Sequence, residues 1–319
     1  MVRFPSQRVL LPRTKLAYVH LRNLITDAKR DRSARVYGYV AMWLPEELLI
    51  LYMQEGEVAA ATTRSAKSVS AIAVADAIAR VPGEPELGEI CFHEADDEQL
   101  ACMYAAETMI AEAWPAGFEP TDPRKLFPYL ASAMFDGMVE IVVEGATNYL
   151  ILRDGAVVRS FLTEAGPSPA PERVKRLFVR DGRPQAARVR RWPVPPALPV
   201  QAPPALIAAY RELVHVMVGA LVVSGKMNAP AIAEQARQTL LPQHPVLASF
   251  AMSGQTHSDP VTDARALTTA IGTWLGELLW TALGPDGGAS DVLRDLTRSR
   301  RQMFQSAGLY DALPFKIEW

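Results

Sequence analysis

Apolar residues recur at three- and four-residue spacing through the last third of the chain and follow shorter, strand-like runs before it. Leu206, Ile207, Tyr210, Leu213, Val214, Met217, Val218, Leu221 and Val222 lie on one helical face, and Gly225 can end that helix. A second helix is predicted over Ala229–Leu241, with Pro230 in the first turn, where a missing N–H costs nothing. A third has Asp259 as its cap and Pro260 at its first position. Its stripe of Leu267, Ile271, Trp274, Leu275, Leu278 and Leu279 runs to Gly284-Pro285. A fourth covers roughly Ser290–Ser306, before Gly308. Helices joined by short Pro- and Gly-marked loops predict a small bundle with a continuous apolar core. The tail from Leu309 to Trp319 is too apolar for a free terminus, so Leu313, Phe315, Ile317 and Trp319 are expected to dock, on this chain or on another.

The first half reads as a weak internal repeat. One copy has a short helix at Leu21–Ile25 and strands at Arg35–Trp43 and Leu48–Met53. Its turn at Gln54-Glu55-Gly56 leads into Glu57–Thr62. The other has a helix at Leu126–Leu130 and strands at Gly137–Val143 and Asn148–Leu152. Its turn at Arg153-Asp154-Gly155 leads into Ala156–Phe161. Acid-Gly pairs between β-rich runs mark hairpins, because Gly supplies the positive φ such turns need. A further strand is predicted after each hairpin, at Gly88–His93 and Arg173–Arg180, and the first copy alone inserts a helix near Ser68–Arg80. Between the copies, Asp96 can cap a helix over Asp97–Trp114, with Gln99 completing a capping box. The acidic run Glu94–Glu98 is thereby read as a helix start stabilised by the macrodipole, in preference to a metal site. Pro193, Pro195, Pro196, Pro199, Pro203 and Pro204 form an extended connector.

The expected fold class is therefore α+β, with two small modules, each a helix on an antiparallel meander, followed by an all-α bundle. The boundaries fall at 1–115, 116–192, a linker at 193–204, and 205–319.

The order of helix, glycine-led strand, second strand and acid-Gly turn resembles PATAN-type domains of bacterial signalling proteins. Leu21, Leu24, Gly38, Leu51, Gly56, Val58, Ala61 and Ala75 carry the resemblance in the first copy. Leu126, Leu130, Gly137, Leu150, Gly155, Val157 and Ser160 carry it in the second. It extends to about Arg180 and leaves the helical half uncovered. The second copy departs from the pattern in having no helix after its hairpin, and no phosphoacceptor receiver domain follows. The resemblance implies signalling through protein–protein contacts rather than chemistry.

Composition narrows the functional classes. A formal charge of -2 over 319 residues argues against nucleic acid or anionic lipid as the main partner, and two cysteines cannot build a disulfide scaffold or a Cys-only zinc site. The first eight residues lack the apolar core of a secretory signal. Arg211, Glu212 and His215 interrupt the longest apolar stretch, which therefore reads as a buried helix rather than a membrane span, so a cytoplasmic chain with no transmembrane segment is expected.

Catalytic motifs are not met. Gly219–Met227 imitates a P-loop, but five residues separate Gly219 from Gly225 and Met227 stands where Ser or Thr should hold magnesium. His93-Glu94 lacks the second His of a zincin, and neither Ser224-Gly225 nor Ser253-Gly254 sits in a nucleophile elbow. Cys91 and Cys102 read as small core residues. His244, His257 and Asp259 share one loop region, but turn and cap roles explain them with fewer assumptions than a metal.

The sharpest local feature is the basic segment Arg173–Trp192. Arg176, Arg180, Arg188, Arg190, Arg191 and Trp192 are its candidate partner- or anion-binding residues, with Phe178 and Trp192 available for stacking. Arg30, Arg32 and Arg35 form a smaller cluster that could join it. A solvated edge strand is the plainer reading of these charges. The expectation is a non-enzymatic cytoplasmic adaptor or scaffold without catalytic residues, metal or cofactor, acting on protein partners or on itself. The alternative is a regulator that senses an anionic nucleotide at the Arg clusters.

Overall fold

A computed structural model describes residues 2–30, 35–81, 88–193, 197–251, 258–284 and 288–319. The class is mixed α+β with antiparallel sheets, in two compact units. One comprises Met1–Ile72 with Val81–Leu198, the other Ala73–Arg80 with Pro199–Trp319.

The first unit begins with β1 (Arg8–Lys15), α1 (Leu21–Arg30), β2 (Gly38–Trp43), β3 (Glu47–Gln54), β4 (Glu57–Ser65) and β5 (Val69–Ile72). The following helix, α2 (Val74–Ala79), belongs to the second unit. The first unit resumes with β6 (Glu89–Glu94), α3 (Asp97–Thr108), α4 (Pro123–Ser132), β7 (Gly137–Val143), β8 (Ala146–Arg153) and β9 (Ala156–Phe161). It closes with α5 (Ala170–Arg176), the two-residue strands β10 (Val179–Arg180) and β11 (Arg183–Pro184), and β12 (Ala187–Trp192). One sheet has the order β1-β6-β2-β3-β4-β5, the other β12-β7-β8-β9.

α3 lies between the sheets. Tyr39, Ala41, Ile50 and Tyr52 of the first sheet and Met138, Tyr149, Ile151 and Trp192 of the second share one core with Leu100, Cys102, Met103 and Ala106. The far face of the second sheet carries α4 and α5, whose Leu126, Leu130 and Val174 cover Val139, Ile141, Leu150 and Leu152. The Asp154-Gly155 turn between β8 and β9 admits only glycine at its second position. Gly155 has φ +73°, and a Cβ there would meet the Ala131 Cα at 2.4 Å.

Several local expectations are corrected. The strand predicted over Arg173–Arg180 is α5 followed by a tight hairpin. Val174 and Phe178, four apart, are the buried positions, and Arg173, Lys175 and Arg176 suit the negative end of a helix. The second module thus does have a helix after its hairpin, and its last strand is β12. The helix expected near Ser68–Arg80 is split, because Val69–Ile72 pairs with β4 and only Val74–Ala79 is helical. β1, which the sequence reading missed, contains Pro12 and two register shifts, features tolerated at a sheet edge. α3 stops at Thr108, short of Trp114, because Met109 is extended. Its cap is as expected, Asp96 accepting from the Gln99 N–H at 2.9 Å, but the Gln99 amide donates to the Pro5 carbonyl at 2.7 Å instead of completing the box.

The second unit contains α2, α6 (Pro204–Val223), α7 (Ala229–Leu240), α8 (Ala264–Leu283), α9 (Ala289–Thr297) and α10 (Arg301–Ser306). α6 is long and apolar enough to cross a membrane by length and composition, and half of that window is buried in the unit. Its Tyr210, Leu213, Met217 and Leu221 pack with Trp274, Leu278, Leu293 and Phe304. α8 starts later than predicted. Asp263 caps it, accepting from the Ala266 N–H at 2.8 Å, while the Thr262 carbonyl accepts from the Ala202 N–H at 2.7 Å and keeps the preceding residues extended. Asp259 instead forms an ion pair with Arg211. The predicted fourth helix is broken by a tighter turn at Arg298–Arg300. The tail packs on its own unit, with Leu309 and Leu313 buried and Phe315 and Ile317 against the same core. Gly272 and Gly276 of α8 make room for it, since a Cβ on either would lie 2.8 Å from Ala312 or Pro314. Trp319 stays partly exposed, packed on Tyr310 and under the Arg301 guanidinium at 4.0 Å.

Candidate functional site

The basic segment does not form one surface. Arg191 is buried in an aromatic box, its guanidinium 4.6 Å from the Trp114 ring and 5.6 Å from Tyr129. It donates to the Ala113 carbonyl at 2.9 Å, and its Nε lies 3.2 Å from Glu112, an ion-pair distance without hydrogen-bond geometry. Arg190 grips Glu140, directly opposite it on β7, at 2.7 and 3.0 Å. Trp192 is fully buried and donates to the Met109 carbonyl at 3.3 Å. Phe178 is buried as well, so neither ring is available for stacking. Arg188 is exposed on β12. Arg35 pairs with Glu55 at 2.5 Å, while Arg32 and the Arg30 side chain lie outside the described residues.

Arg176 and Arg180 do come together, with two further arginines. They line a cavity of about 420 Å³ beside Arg3 and Arg173. The same walls carry Glu144, Glu164 and Asp181, which offset most of that charge. Arg180 lies 3.5 Å from the Glu164 carboxylate, Arg173 donates to the Glu164 carbonyl, and Arg176 donates to the Ser168 hydroxyl at 3.0 Å.

On the other side of α5 is a larger and less polar groove, of about 710 Å³. Phe127 of α4, Val174 of α5 and Val179 line it together with Val157 and Val158 of β9. Val157, Val158 and Val179 are 42%, 47% and 44% exposed and form one apolar patch along the groove. Arg124, Arg159, Lys175 and Arg176 rim it, and no acidic residue lines it. Arg159 turns to the opposite face of β9 and pairs with Asp96 at 2.6 Å and Glu98 at 3.4 Å. Arg124 and Lys175 have no ion-pair partner among the described residues.

No protein-family model, curated protein or solved structure matches the chain.

The interior holds a polar cluster that sequence reasoning missed. The Glu107 carboxylate of α3 binds Arg64 of β4, one contact being 3.0 Å, and the Glu140 carboxylate binds Arg190. Both Glu side chains are 1% exposed. Burial raises the Glu107 carboxyl above its usual value, Arg64 opposes this, and Glu140 adds to it. Burial also raises the phenols of Tyr52 and Tyr149, whose rings lie in the same layer, and the Tyr149 hydroxyl has no hydrogen-bond partner. The signal was the single charge inside the apolar run Gly137–Val143. Perturbed carboxyls of this kind also occur in catalytic sites. Here Glu107–Arg64 ties α3 to the first sheet, while Glu140–Arg190 joins two strands of the second and reaches α3 through the Ala106 carbonyl at 3.4 Å.

Burial pushes the Cys91 thiol up to about 11 and the Cys102 thiol to about 12, far from the thiolate a nucleophile needs. Among the described residues no three His, Cys, Asp or Glu side chains are placed to hold a metal ion. Ser253, Gly254 and His257 lie outside those residues, as do Pro195, Pro196 and Pro285.

Proposed function

We propose that this chain is a non-enzymatic adaptor or scaffold of a bacterial signalling or assembly system, working in the cytoplasm through protein–protein contacts. The groove between α4, α5 and β9 is its docking site. One observation carries this reading: exposed valines and Phe127 form an apolar floor with cations and no acids around it. Apolar patches rimmed by polar groups are characteristic of contact surfaces. The common strand order β6-β2-β3-β4 and β12-β7-β8-β9 supports reading the two modules as copies of one PATAN-like unit. The helical unit, read as a bundle, would offer a second contact only through Trp319, since Leu313, Phe315 and Ile317 pack on its own core. The test is purification of the tagged chain from its native host beside a Val158→Asp variant. A stoichiometric protein partner lost from the variant, at unchanged thermal stability, is expected. Equal recovery of that partner by both proteins would overturn the assignment.

A second reading follows from the cavity that gathers Arg3, Arg173, Arg176 and Arg180, which would take an anionic nucleotide. A thermal-shift screen of nucleotides, cyclic dinucleotides included, decides it. A stabilisation lost in Arg176→Ala supports the reading, and no shift with any anion removes it.

A further inference from the structure

The two sheets share a strand order and differ at one edge. In the first sheet, β4 is flanked by β5, which runs antiparallel along it from Ala61↔Ile72 to Arg64↔Val69. In the second, β9 occupies the place of β4, and no strand lies beyond it among the described residues. An unpaired edge presents a row of N–H and C=O groups, and folded proteins block such edges when they are not used. Of the other three outer edges, those of β1 and β12 carry blocks, and β5 is only four residues long. β1 contains Pro12 and two register shifts, and the far edge of β12 is bridged by Glu112, whose N–H donates to the Arg191 carbonyl at 2.8 Å. β9, Ala156–Phe161, has neither proline nor bridge, and its pairing with β8 carries a single register shift, at Ile151/Leu152.

We infer that β9 takes up an extended acidic–apolar segment of a partner protein as an added strand, in the position β5 fills in the first sheet. This rests on the groove reading and specifies how the partner is held. Main-chain bonds to an edge strand supply affinity, and pockets for alternate side chains supply specificity. The register fixes which side chains count. Val157 lies opposite Leu152 and Ser160 opposite Leu150, both on the face covered by α4 and α5. Every second side chain of an added strand would therefore lie over the groove, and the central ones, beside Phe127, Val174 and Val179, should be apolar. The rim chooses the rest. On that same face the rim carries Arg124, Lys175 and Arg176 and no acid, so groove-facing positions at the ends of the segment should be carboxylates, while Arg159 is held by Asp96 and Glu98 on the other face. A second copy of this chain is a poor occupant, because β9 against β9 would bring two such cationic rims together.

The probe is a fluorescein-labelled peptide whose groove-facing positions are Val or Ile in the middle and Asp or Glu at the ends, with Thr between them, added to the full chain and followed by anisotropy and amide hydrogen exchange. Two derivatives carry N-methyl groups, one on the odd amides and one on the even. Only one set of amides faces a strand partner, so one derivative should bind about thirtyfold more weakly, for two lost hydrogen bonds, and the other unchanged. The parent peptide should slow exchange at 157–161, and a Lys-substituted version should not bind. Equal binding by both methylated peptides, with Val158→Asp still abolishing it, would overturn strand addition and leave the groove reading standing. Failure of every acidic peptide to bind, while the host partner still depends on Val158, would overturn the acidic-strand assignment. Slowed exchange at β9 on concentrating the protein alone would assign the edge to a second copy.

Discussion

Replacing Glu140 with Leu removes one half of an ion pair whose carboxylate is 1% exposed and whose two contacts to Arg190 measure 2.7 and 3.0 Å. Arg190 would keep only the Ala106 carbonyl at 3.4 Å and the Trp192 ring at 5.0 Å. Breaking a buried pair by deleting one partner costs about 3–5 kcal/mol, because the other charge is left uncompensated. The Arg190 side chain retains 29% of its exposure, and removing Glu140 also relieves its repulsion with Glu107, so the lower end of that range applies. At roughly 2–4 °C per kcal/mol for a unit of this size, Tm should fall by about 6–12 °C. The double variant Glu140→Leu/Arg190→Met leaves no orphaned charge and should recover most of the loss. Calorimetry and urea unfolding of the wild type, both single variants and the double variant give the coupling energy directly. A Glu140→Leu loss below about 1 kcal/mol, or a double variant less stable than either single one, would refute the reasoning.

Glu107 makes stability depend on pH. Its folded-state carboxyl is raised, so the native chain holds that proton more tightly than the unfolded chain does. This contribution is full below the unfolded carboxylate value and is lost as pH rises through the folded one, so Glu107→Gln should flatten that decline in a pH series of melting curves. An unchanged slope contradicts it. Gly155→Ala forces a left-handed alanine into the Ala131 backbone and should cost at least about 2 kcal/mol by urea titration. An unchanged midpoint would show that the turn relaxes freely. Asp263→Ala should speed amide exchange at the start of α8 and cost about 1 kcal/mol. Asp259→Ala should leave that exchange unchanged, and the reverse pattern would restore the earlier helix start.

What the sequence revealed follows from the range of each signal. Three-four spacing located α6 and α7 to within a residue or two, and acid-Gly pairs located the hairpins, because both signals are local. The errors arose where neighbours overrode local pattern. Val69–Ile72 is a strand because β4 offers it an edge, and Asp259 is drawn from capping by Arg211. Arg173–Arg180 misled because its basic residues obscured the Val174–Phe178 spacing. Arg190, Arg191 and Trp192 are structural, while Arg176 lines both cavities. The groove was unreadable in one dimension, since Phe127, Val157, Val174 and Val179 come from separate elements and meet only in the folded unit.

The account stands on the groove beside β9 being a protein-docking surface. A photo-crosslinking residue placed at Val158, in cells of the native host, tests this most directly, with Val223 on α6 as the control because it is 89% exposed and does not line the groove. The account predicts a discrete heavier adduct from position 158 that is not formed from 223. No adduct at 158, or the same adducts at both positions, would contradict it.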